Sequence, residues 1–343
     1  MDINNFIIIF AFLTLYYFFF KKFKILNDDT SSSNHKKLVS NFQTNPILLG
    51  GIFIVTVFCI FSDYNFFPVK LVIALLFFLG LSSDKNIISN PKIRLIIQTL
   101  ILLFLVDSQD LKIDDLKIEI FNNLLKNYYI STIFTVFCFA VLVNGCNFID
   151  GLNGLLIGYV LLVFLSILYQ SQIYPLNIND NGFVHLLVYV LLLLLILNFS
   201  GLIFLGDSGS YILSGILGFY LLTIYIDNQI FSPYFIAGLL WYPAFENLYS
   251  LIRRLIFNRN VSTADNDHFH HLVYRYYVKK KIFTEKYINT LSSVTILIIN
   301  LPSFIICNLF PTNTEILVSL IICNISFYLI LYYFLFKYFK RKE

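Results

Sequence analysis

Long apolar runs alternate with short polar segments along the entire chain of 343 residues. A membrane-spanning helix needs about 20 mostly apolar residues, and fewer when it is buried inside a bundle. By that criterion the sequence predicts about eleven transmembrane helices, and no internal repeat stands out among them. The predicted spans are residues 3–20, 46–62, 66–82, 93–107, 129–146, 152–169, 183–199, 202–226, 232–252, 287–309 and 314–336.

The distribution of Lys and Arg predicts the orientation of these spans. With the N-terminus outside, 20 of the 24 basic residues fall on inside segments and four on outside segments. Because Lys and Arg concentrate in cytoplasmic loops, we expect the N-terminus outside and the C-terminus in the cytoplasm. The long outside segment 107–128 is expected to be solvated, as a small surface helix or a hairpin. The predicted fold is thus an all-α polytopic membrane protein with one domain, 1–343.

The composition agrees with this fold class. Hydrophobic residues make up 58% of the chain and charged residues 13%, about half the usual charged fraction. A soluble enzyme, a disordered chain and a secreted disulfide scaffold are therefore excluded. The five cysteines lie in or beside apolar runs and form no Cys-x-x-Cys pair, so we expect buried thiols. The net charge of +4 predicts no nucleic-acid partner.

Several polar residues at the predicted inside ends of the spans are not explained by membrane composition. They are Asp84, Asn147, Asp150, Asn153 and Asp207, spread over three predicted inside loops. An ionisable residue in such a position is costly and marks a functional site by default. Each Asp alone could cap a helix. Together, the carboxylates and amides predict a site for a hard cation such as Mg²⁺, which prefers oxygen ligands and substrate phosphates.

The predicted inside loop 253–286 is strongly basic and contains the cluster His268, His270 and His271. Any cytoplasmic loop tends to be basic, but that tendency does not explain three histidines in four residues. With no thiolate nearby, phosphate contact is favoured over zinc ligation. Phosphoryl transfer requires mainly positioning and charge neutralisation. The pattern therefore indicates an enzyme that joins a nucleotide-linked group to a lipid phosphate at the membrane surface.

Three segments, in order, resemble motifs of the polyprenyl-phosphate N-acetylhexosamine-1-phosphate transferases, the WecA-like and TagO-like branch of glycosyltransferase family 4, related to MraY. They are NGCNFIDGLNGLLIG (144–158), FLGDSGS (204–210) and DNDHFHHL (265–272). His35 and Lys36, followed by Pro46 and two glycines, resemble the basic first loop of that family. The resemblance extends from about residue 33 to residue 272.

This resemblance implies transfer of a sugar 1-phosphate from a UDP-sugar to undecaprenyl phosphate, with release of UMP. N-acetylglucosamine 1-phosphate or a related N-acetylaminosugar phosphate would be transferred, as the first membrane step of a cell-surface polysaccharide such as the O-antigen or a cell-wall polymer. The resemblance further implies a Mg²⁺ cofactor, with Mn²⁺ as an alternative. It places the chain in the bilayer of the bacterial inner membrane, with the active site on the cytoplasmic face, and leaves a homodimer open.

The resemblance also assigns roles to particular residues. Asp84, Asp150 and Asp207 would be catalytic, and Asp150 and Asp207 would hold the metal. The substrate-binding residues would be Lys36, Asn147, Asn153, Asp265, His268, His270 and His271. The active site would form from five cytoplasmic loops, at about 21–45, 83–92, 144–151, 200–210 and 253–286.

The sequence departs from the family pattern at three positions. Where the family has an adjacent pair of aspartates, this chain has Ser83 and Asp84, or Asp84 and Lys85 in the other alignment. One carboxylate is missing in either case, and with it a residue proposed as the base for the lipid phosphate. Asn153 stands where Asp is common, and Glu246 stands where the family often has Asp.

Three alternatives remain at this point. An MraY-type phospho-N-acetylmuramoyl-pentapeptide transferase shares most of the motifs, although its branch usually has three consecutive histidines. A multispan transporter would explain the spans, but transporters place polar groups near the membrane midplane, often in repeated halves. Here the polar groups cluster at one face without a repeat. An inactive homologue acting as a scaffold would explain the missing carboxylate.

Overall fold

The computed structural model describes residues 3–23, 47–63, 67–256, 267–281 and 284–340. Within those ranges the regular structure is helical, and a single isolated bridge pairs Ile47 with Ile203. The helices are α1 (Ile3–Phe23), α2 (Gly50–Phe61), α3 (Phe67–Asp84), α4 (Pro91–Ser108), α5 (Glu119–Leu125), α6 (Tyr128–Ile149), α7 (Leu155–Ile173), α8 (Asn181–Phe199), α9 (Gly206–Asp227), α10 (Pro233–Leu239), α11 (Trp241–Ile256), α12 (Phe269–Lys280), α13 (Glu285–Leu309) and α14 (Thr314–Lys340).

Seven of the described helices are long and apolar enough to cross a membrane: α3, α6, α7, α8, α9, α13 and α14. Helix α2 is also apolar but shorter. The protein is therefore all-helical in its described ranges and has the architecture of a multi-pass membrane protein, which confirms the fold class. The count of eleven spans and the orientation stay predictions.

The predicted span 232–252 is wrong as a single helix, because the structure divides it into α10 and α11 with Leu240 between them. Pro243 explains the break, since it has no N–H to donate to the carbonyl of Leu239 four residues earlier. The hydroxyl of Tyr159 donates to that carbonyl instead, at 2.8 Å. Helix α11 therefore begins as a separate helix at Trp241.

The boundaries of the predicted loops also need correction. Helix α6 continues to Ile149, helix α9 begins at Gly206, and α12 lies inside the predicted loop 253–286. The predicted loops at 21–45 and 83–92 likewise overlap the ends of α1, α3 and α4. The polar side chains at these helix ends form hydrogen bonds within the bundle. The helices can therefore continue through them. Segment 107–128 contains α5, so the surface-helix alternative is correct.

Helix α9 lies at the centre of the described bundle. An apolar stretch of 18 residues in α9 is 89% buried, against 22% for the corresponding stretch of α14. Small residues allow α2, α3 and α6 to approach it closely: an added Cβ would lie 2.7 Å from Leu76 at Gly215 and 2.2 Å from Phe139 at Gly218. Close helix packing at small residues is the usual arrangement in membrane bundles. The start of α9 is therefore held by several neighbours at once.

The start of α4 is also well defined. The side chain of Asn90 accepts a hydrogen bond from the Lys92 N–H at 2.9 Å, and Pro91 occupies the first helical position. Asn is favoured at the capping position because its side chain accepts a hydrogen bond from a free backbone N–H. Pro is favoured at the first helical position because it has no N–H that would need a partner. This start places Arg94 in the first turn of α4, beside the end of α3.

Candidate active site at the start of helix α9

The end of α3 lies directly against the first turn of α9. A Cβ added to Gly80 would lie 2.4 Å from Ser208 Cα, so the two backbones touch there. Asp84 follows Gly80 by four residues and therefore lies on the same face of α3. Its carboxylate accepts hydrogen bonds from the N–H groups of Asp207 (2.7 Å) and Ser208 (3.0 Å). Asp84 thus caps α9 from a distant part of the chain.

Gly206 makes this cap sterically feasible. Its φ of +71° lies in the left-handed region, and an added Cβ would lie 2.8 Å from Asp84 Oδ2. We expect Gly206→Ala to lower the free energy of unfolding by about 1–2 kcal/mol through backbone strain alone. Chemical denaturation in detergent should measure this loss. Gly182→Ala in α8 is the matched control, because only the Asp180 side chain approaches there, at 3.8 Å. Equal stability of the two variants would contradict the prediction.

Three side chains converge on the carboxylate of Asp207. The Ser83 hydroxyl donates to Oδ2 at 2.6 Å, and the Arg94 guanidinium donates to the same oxygen at 3.1 Å. Arg94 also donates to the hydroxyl oxygen of Ser83. The Asn147 amide donates to Asp207 Oδ1 at 3.1 Å and to the Ser210 hydroxyl at 3.1 Å. Residues from α3, α4, α6 and α9 therefore meet at one carboxylate.

A second group of predicted site residues lies at the end of α6. Asp150 is buried and follows Asn147 by three residues, so both lie on one face of the helix end. The next residue, Gly151, touches two histidines of α12: an added Cβ would lie 2.3 Å from His270 Nε2 and 3.3 Å from His271 Nε2. The end of α6 consequently connects the Asp207 cluster with the histidine cluster.

The three predicted histidines are all buried and form one group. The ring centroids of His270 and His271 are 4.2 Å apart, and the ring of His268 stacks on that of His270 at 5.5 Å. His268 Nδ1 lies 3.0 Å from Glu246 Oε1. A carboxylate at one ring nitrogen orients the imidazole and selects its tautomer, so the other nitrogen is directed elsewhere.

Glu246 itself is fully buried in α11 and is well supplied with donors. Its Oε1 also accepts the N–H of Phe269 at 3.2 Å, and its Oε2 accepts the hydroxyl of Tyr328 at 2.6 Å. Tyr328 lies on α14, far beyond the histidine motif in sequence. Glu246 therefore retains the negative charge at a position where the family often has Asp. Its side chain contacts both the start of α12 and α14.

The segment just before the histidines is also anchored to two helices. Arg253 of α11 donates to the backbone carbonyl of Asp267 at 2.6 Å and to the hydroxyl of Tyr332 at 2.7 Å. The Tyr332 hydroxyl donates to the same carbonyl at 2.9 Å. Arg275 forms an ion pair with the Asp267 carboxylate at 3.2 Å. These contacts hold the backbone just before α12 against α11 and α14.

Asn153 lies apart from the Asp207 cluster in its contacts. Its backbone N–H donates to Asn289 Oδ1 at 2.7 Å, and its carbonyl accepts the hydroxyl of Ser293 at 2.7 Å. Both partners belong to α13. The Asn153 side chain is completely buried, and its two polar atoms have no hydrogen-bond partner among the described residues. The predicted substrate-binding residues Lys36 and Asp265 lie outside the described residues.

Ser83 and Glu246 enter the sequence analysis only as departures from the family pattern, and Arg94 and Tyr328 are not predicted as site residues at all. Arg94 is a cation inside the predicted span 93–107, where a charge is costly and functional by default. The same charge also fits the basic inside loop before α4, so the sequence alone does not separate a site role from an effect on orientation. Tyr328 gave no signal, because a tyrosine in an aromatic-rich span is ordinary.

The donor atoms around Asp207 are compatible with a hard cation. In the described ranges, no group of three or more His, Cys, Asp and Glu side chains converges into a complete metal site. Mg²⁺ does not need such a group, because it is typically held by one or two carboxylates plus substrate phosphates and water. The oxygens at this position are those of the Asp207 carboxylate and the Ser83 hydroxyl, Asn147 approaches through its amide N–H, and sulfur ligands are not among the described contacts of Asp207.

Comparison with known proteins gives a consistent result. A probable undecaprenyl-phosphate N-acetylglucosaminyl 1-phosphate transferase of Bacillus subtilis is 25% identical over 244 residues, covering 69% of this chain and 66% of that protein. An undecaprenyl-phosphate alpha-N-acetylglucosaminyl 1-phosphate transferase of Thermotoga maritima is 27% identical over 233 residues, covering 66% of this chain and 67% of that protein. The chain thus spans about two thirds of the length of these relatives.

A family profile covers the part of the chain that contains the Asp207 cluster. Residues 66–225 match the profile described as glycosyl transferase family 4, and this range includes Ser83, Asp84, Arg94, Asn147 and Asp207. The histidine cluster and Glu246 lie beyond it. By this match and the two relatives, the chain is similar to glycosyl transferase family 4 over residues 66–225, the part that contains the Asp207 cluster.

Proposed function

We propose that this protein transfers a sugar 1-phosphate from a UDP-sugar to undecaprenyl phosphate and releases UMP. The transferred group is N-acetylglucosamine 1-phosphate or the phosphate of a related N-acetylaminosugar. The proposal carries over the activity named for the two relatives. The observation that carries it is the Asp207 carboxylate, at the start of the central helix, in contact with a hydroxyl, a guanidinium and an amide.

The proposed reaction is a displacement at phosphorus. An oxygen of the lipid phosphate attacks the sugar-bearing phosphorus of the UDP-sugar, and the bond from that phosphorus to the bridging oxygen breaks. The bridging oxygen leaves with UMP, and a new lipid diphosphate bond forms. Such a step depends on positioning and on neutralising phosphate charge. The cations and imidazoles proposed for this task are Arg94, His268, His270 and His271.

We propose that no side-chain carboxylate removes a proton from the lipid phosphate. Position 83 carries a hydroxyl, and both carboxylate oxygens of Asp84 accept backbone N–H groups of α9. A phosphate monoester has a second pKa of about 6 and is therefore largely a dianion near pH 7. The acceptor is thus already nucleophilic, so the missing family carboxylate does not argue against activity.

Mg²⁺ is proposed as the cofactor, held by Asp207 and by Asp150 as a second carboxylate. When bound, it would neutralise charge on the diphosphate of the donor. The side chains of this protein have separate tasks. Asn147 holds Asp207 in place, and the buried histidines next to Gly151 offer ring N–H donors to phosphate oxygens.

The experiment is a transfer assay with purified full-length protein in detergent, undecaprenyl phosphate, Mg²⁺ and a panel of radiolabelled UDP-sugars. The panel includes UDP-N-acetylglucosamine, other UDP-N-acetylaminosugars and UDP-N-acetylmuramoyl-pentapeptide. We expect a labelled lipid diphosphate and stoichiometric UMP with one aminosugar nucleotide. No transfer with any donor would contradict the proposal, and transfer of the pentapeptide alone would support the MraY-type alternative.

The same assay in sealed vesicles tests the proposed cytoplasmic face of the bacterial inner membrane. UDP-sugars are charged and do not cross a bilayer unaided. Inside-out vesicles should therefore form the product, whereas right-side-out vesicles should form it only after permeabilisation. The reverse pattern would contradict the proposed orientation while leaving the proposed reaction intact.

Glu246→Gln is expected to lower kcat/KM by about tenfold, or about 1.4 kcal/mol, because the neutral amide no longer orients His268. Tyr328→Phe removes one donor to the same carboxylate and should have a smaller effect in the same direction. Steady-state kinetics with the preferred UDP-sugar measure both. Tyr333→Phe, at an exposed tyrosine of the same helix, is the control and should match the wild type. If the kcat/KM of Glu246→Gln equals that of the wild type, Glu246 does not position His268 for the reaction.

A further inference from the structure

The contact between Arg94 and Asp207 occupies one of the two carboxylate oxygens that the proposed metal could use. The Arg94 guanidinium and the Ser83 hydroxyl both donate to Asp207 Oδ2, at 3.1 Å and 2.6 Å. A carboxylate oxygen offers two lone-pair sites. Both sites of Oδ2 are therefore in use, and a cation bound at that oxygen must displace one of the two donors.

The charges favour displacement of the guanidinium over displacement of the hydroxyl. A positive charge about 3 Å from the carboxylate opposes the approach of a divalent cation, whereas the neutral Ser83 does not. The side chain of Arg94 is also partly accessible, with a relative exposure of 23% against 14% for Asp207. Because part of this side chain is accessible, the guanidinium can move without unfolding α4.

Arg94 is not fully satisfied in its present position. Its Nε is buried and has no hydrogen-bond acceptor among the described residues. A buried donor without an acceptor is unfavourable, so a conformation that supplies an acceptor is favoured when one is available. Phosphate oxygens bind guanidinium groups in a bidentate manner, which uses two of the N–H groups together.

We propose that Arg94 is a displaceable counter-ion of Asp207. Without a divalent cation, it holds the carboxylate through Oδ2. When a cation binds at Asp207, the guanidinium leaves that oxygen and donates to a phosphate oxygen of the nucleoside diphosphate. This inference rests on the proposed metal site at Asp207 and adds an exchange of positive charges, guanidinium for metal, at one carboxylate.

The test measures two affinities of the full-length protein in detergent, neither of which requires turnover. Mn²⁺ binding without nucleotide is followed by electron paramagnetic resonance, and UDP binding at saturating Mn²⁺ by calorimetry. For Arg94→Gln we expect Mn²⁺ to bind about tenfold more tightly, because an opposing charge is gone. UDP should bind about tenfold more weakly, because a phosphate donor is gone. The two affinities thus change in opposite directions.

Two variants serve as controls. Lys92→Gln removes the same charge from an exposed position two residues earlier in α4, so both affinities should stay within about threefold of wild type. Arg94→Lys retains the charge and should leave the Mn²⁺ affinity near that of the wild type. A thermal melt of each variant in the same detergent verifies that α4 is still packed.

The outcomes separate this inference from the proposed function. If Arg94→Gln binds Mn²⁺ no more tightly than wild type, or loses affinity for both ligands, the counter-ion role is overturned while transferase activity can stand. If the wild type binds Mn²⁺ and Asp207→Asn binds it equally, the metal is not at Asp207. The inference then falls together with the proposed metal site.

Discussion

Asp207→Asn is expected to reduce the transfer rate by about a thousandfold, or about 4 kcal/mol of activation free energy. From the sequence alone, Asp207 could be a helix cap, a metal ligand or both, and the structure separates these roles. Asp84, and not Asp207, caps the start of α9, so the substitution leaves the cap intact. What it removes is the charge that Arg94 pairs with and that the proposed metal requires. Initial rates with the preferred UDP-sugar measure the loss.

A matched control for this variant lies at the other end of the same helix. Asp227→Asn changes the last residue of α9, where the side chain accepts a hydrogen bond from Asn179 at 3.3 Å. It should retain nearly wild-type activity and melting temperature, whereas Asp207→Asn should also lose about 1–3 kcal/mol of stability, because its NH₂ group faces a donor that the carboxylate accepted. An active Asp207→Asn enzyme would leave both the metal assignment and the catalytic assignment without support.

Asp84→Asn is expected to lower both stability and turnover. The carboxylate accepts two backbone N–H groups, whereas an amide offers one acceptor oxygen and turns its NH₂ towards the other donor. Leaving a buried N–H without an acceptor costs about 1–3 kcal/mol. Because the start of α9 would shift, turnover should fall by about a hundredfold, or about 2.7 kcal/mol. Denaturation midpoints and initial rates measure the two effects.

Asn127→Ala provides the comparison for a cap that does not touch the site. Asn127 caps α6 by accepting two N–H groups, at 3.0 Å and 3.3 Å, at the end of that helix opposite to Asn147. Its loss should cost about 1 kcal/mol of stability with little change in rate. If Asp84→Asn lost stability but kept its turnover, the cap would not position the site, and the catalytic role predicted from the sequence would be removed as well.

Much of the fold could be predicted because membrane helices have a strong local signal. Apolar runs of sufficient length located helices at all eleven predicted spans, since backbone groups in lipid must be satisfied within each segment. The failure at 232–252 has the opposite origin. Whether a chain continues through Leu240 depends on how Pro243 is accommodated and on the Tyr159 hydroxyl, which comes from another helix.

The sequence by itself determined which residue types carry chemistry: the isolated carboxylates, amides and histidines stand out because an apolar chain does not otherwise retain them. Only the tertiary structure decided what each one does. Asp84 caps a helix 123 positions away, Arg94 pairs with Asp207 across 113 positions, and Glu246 joins His268 to Tyr328. The hydrophobic pattern of a helix depends only on residues that are close in the sequence, so it can be recognised without the structure. These contacts depend on which helix faces pack together, and packing is a property of the whole bundle.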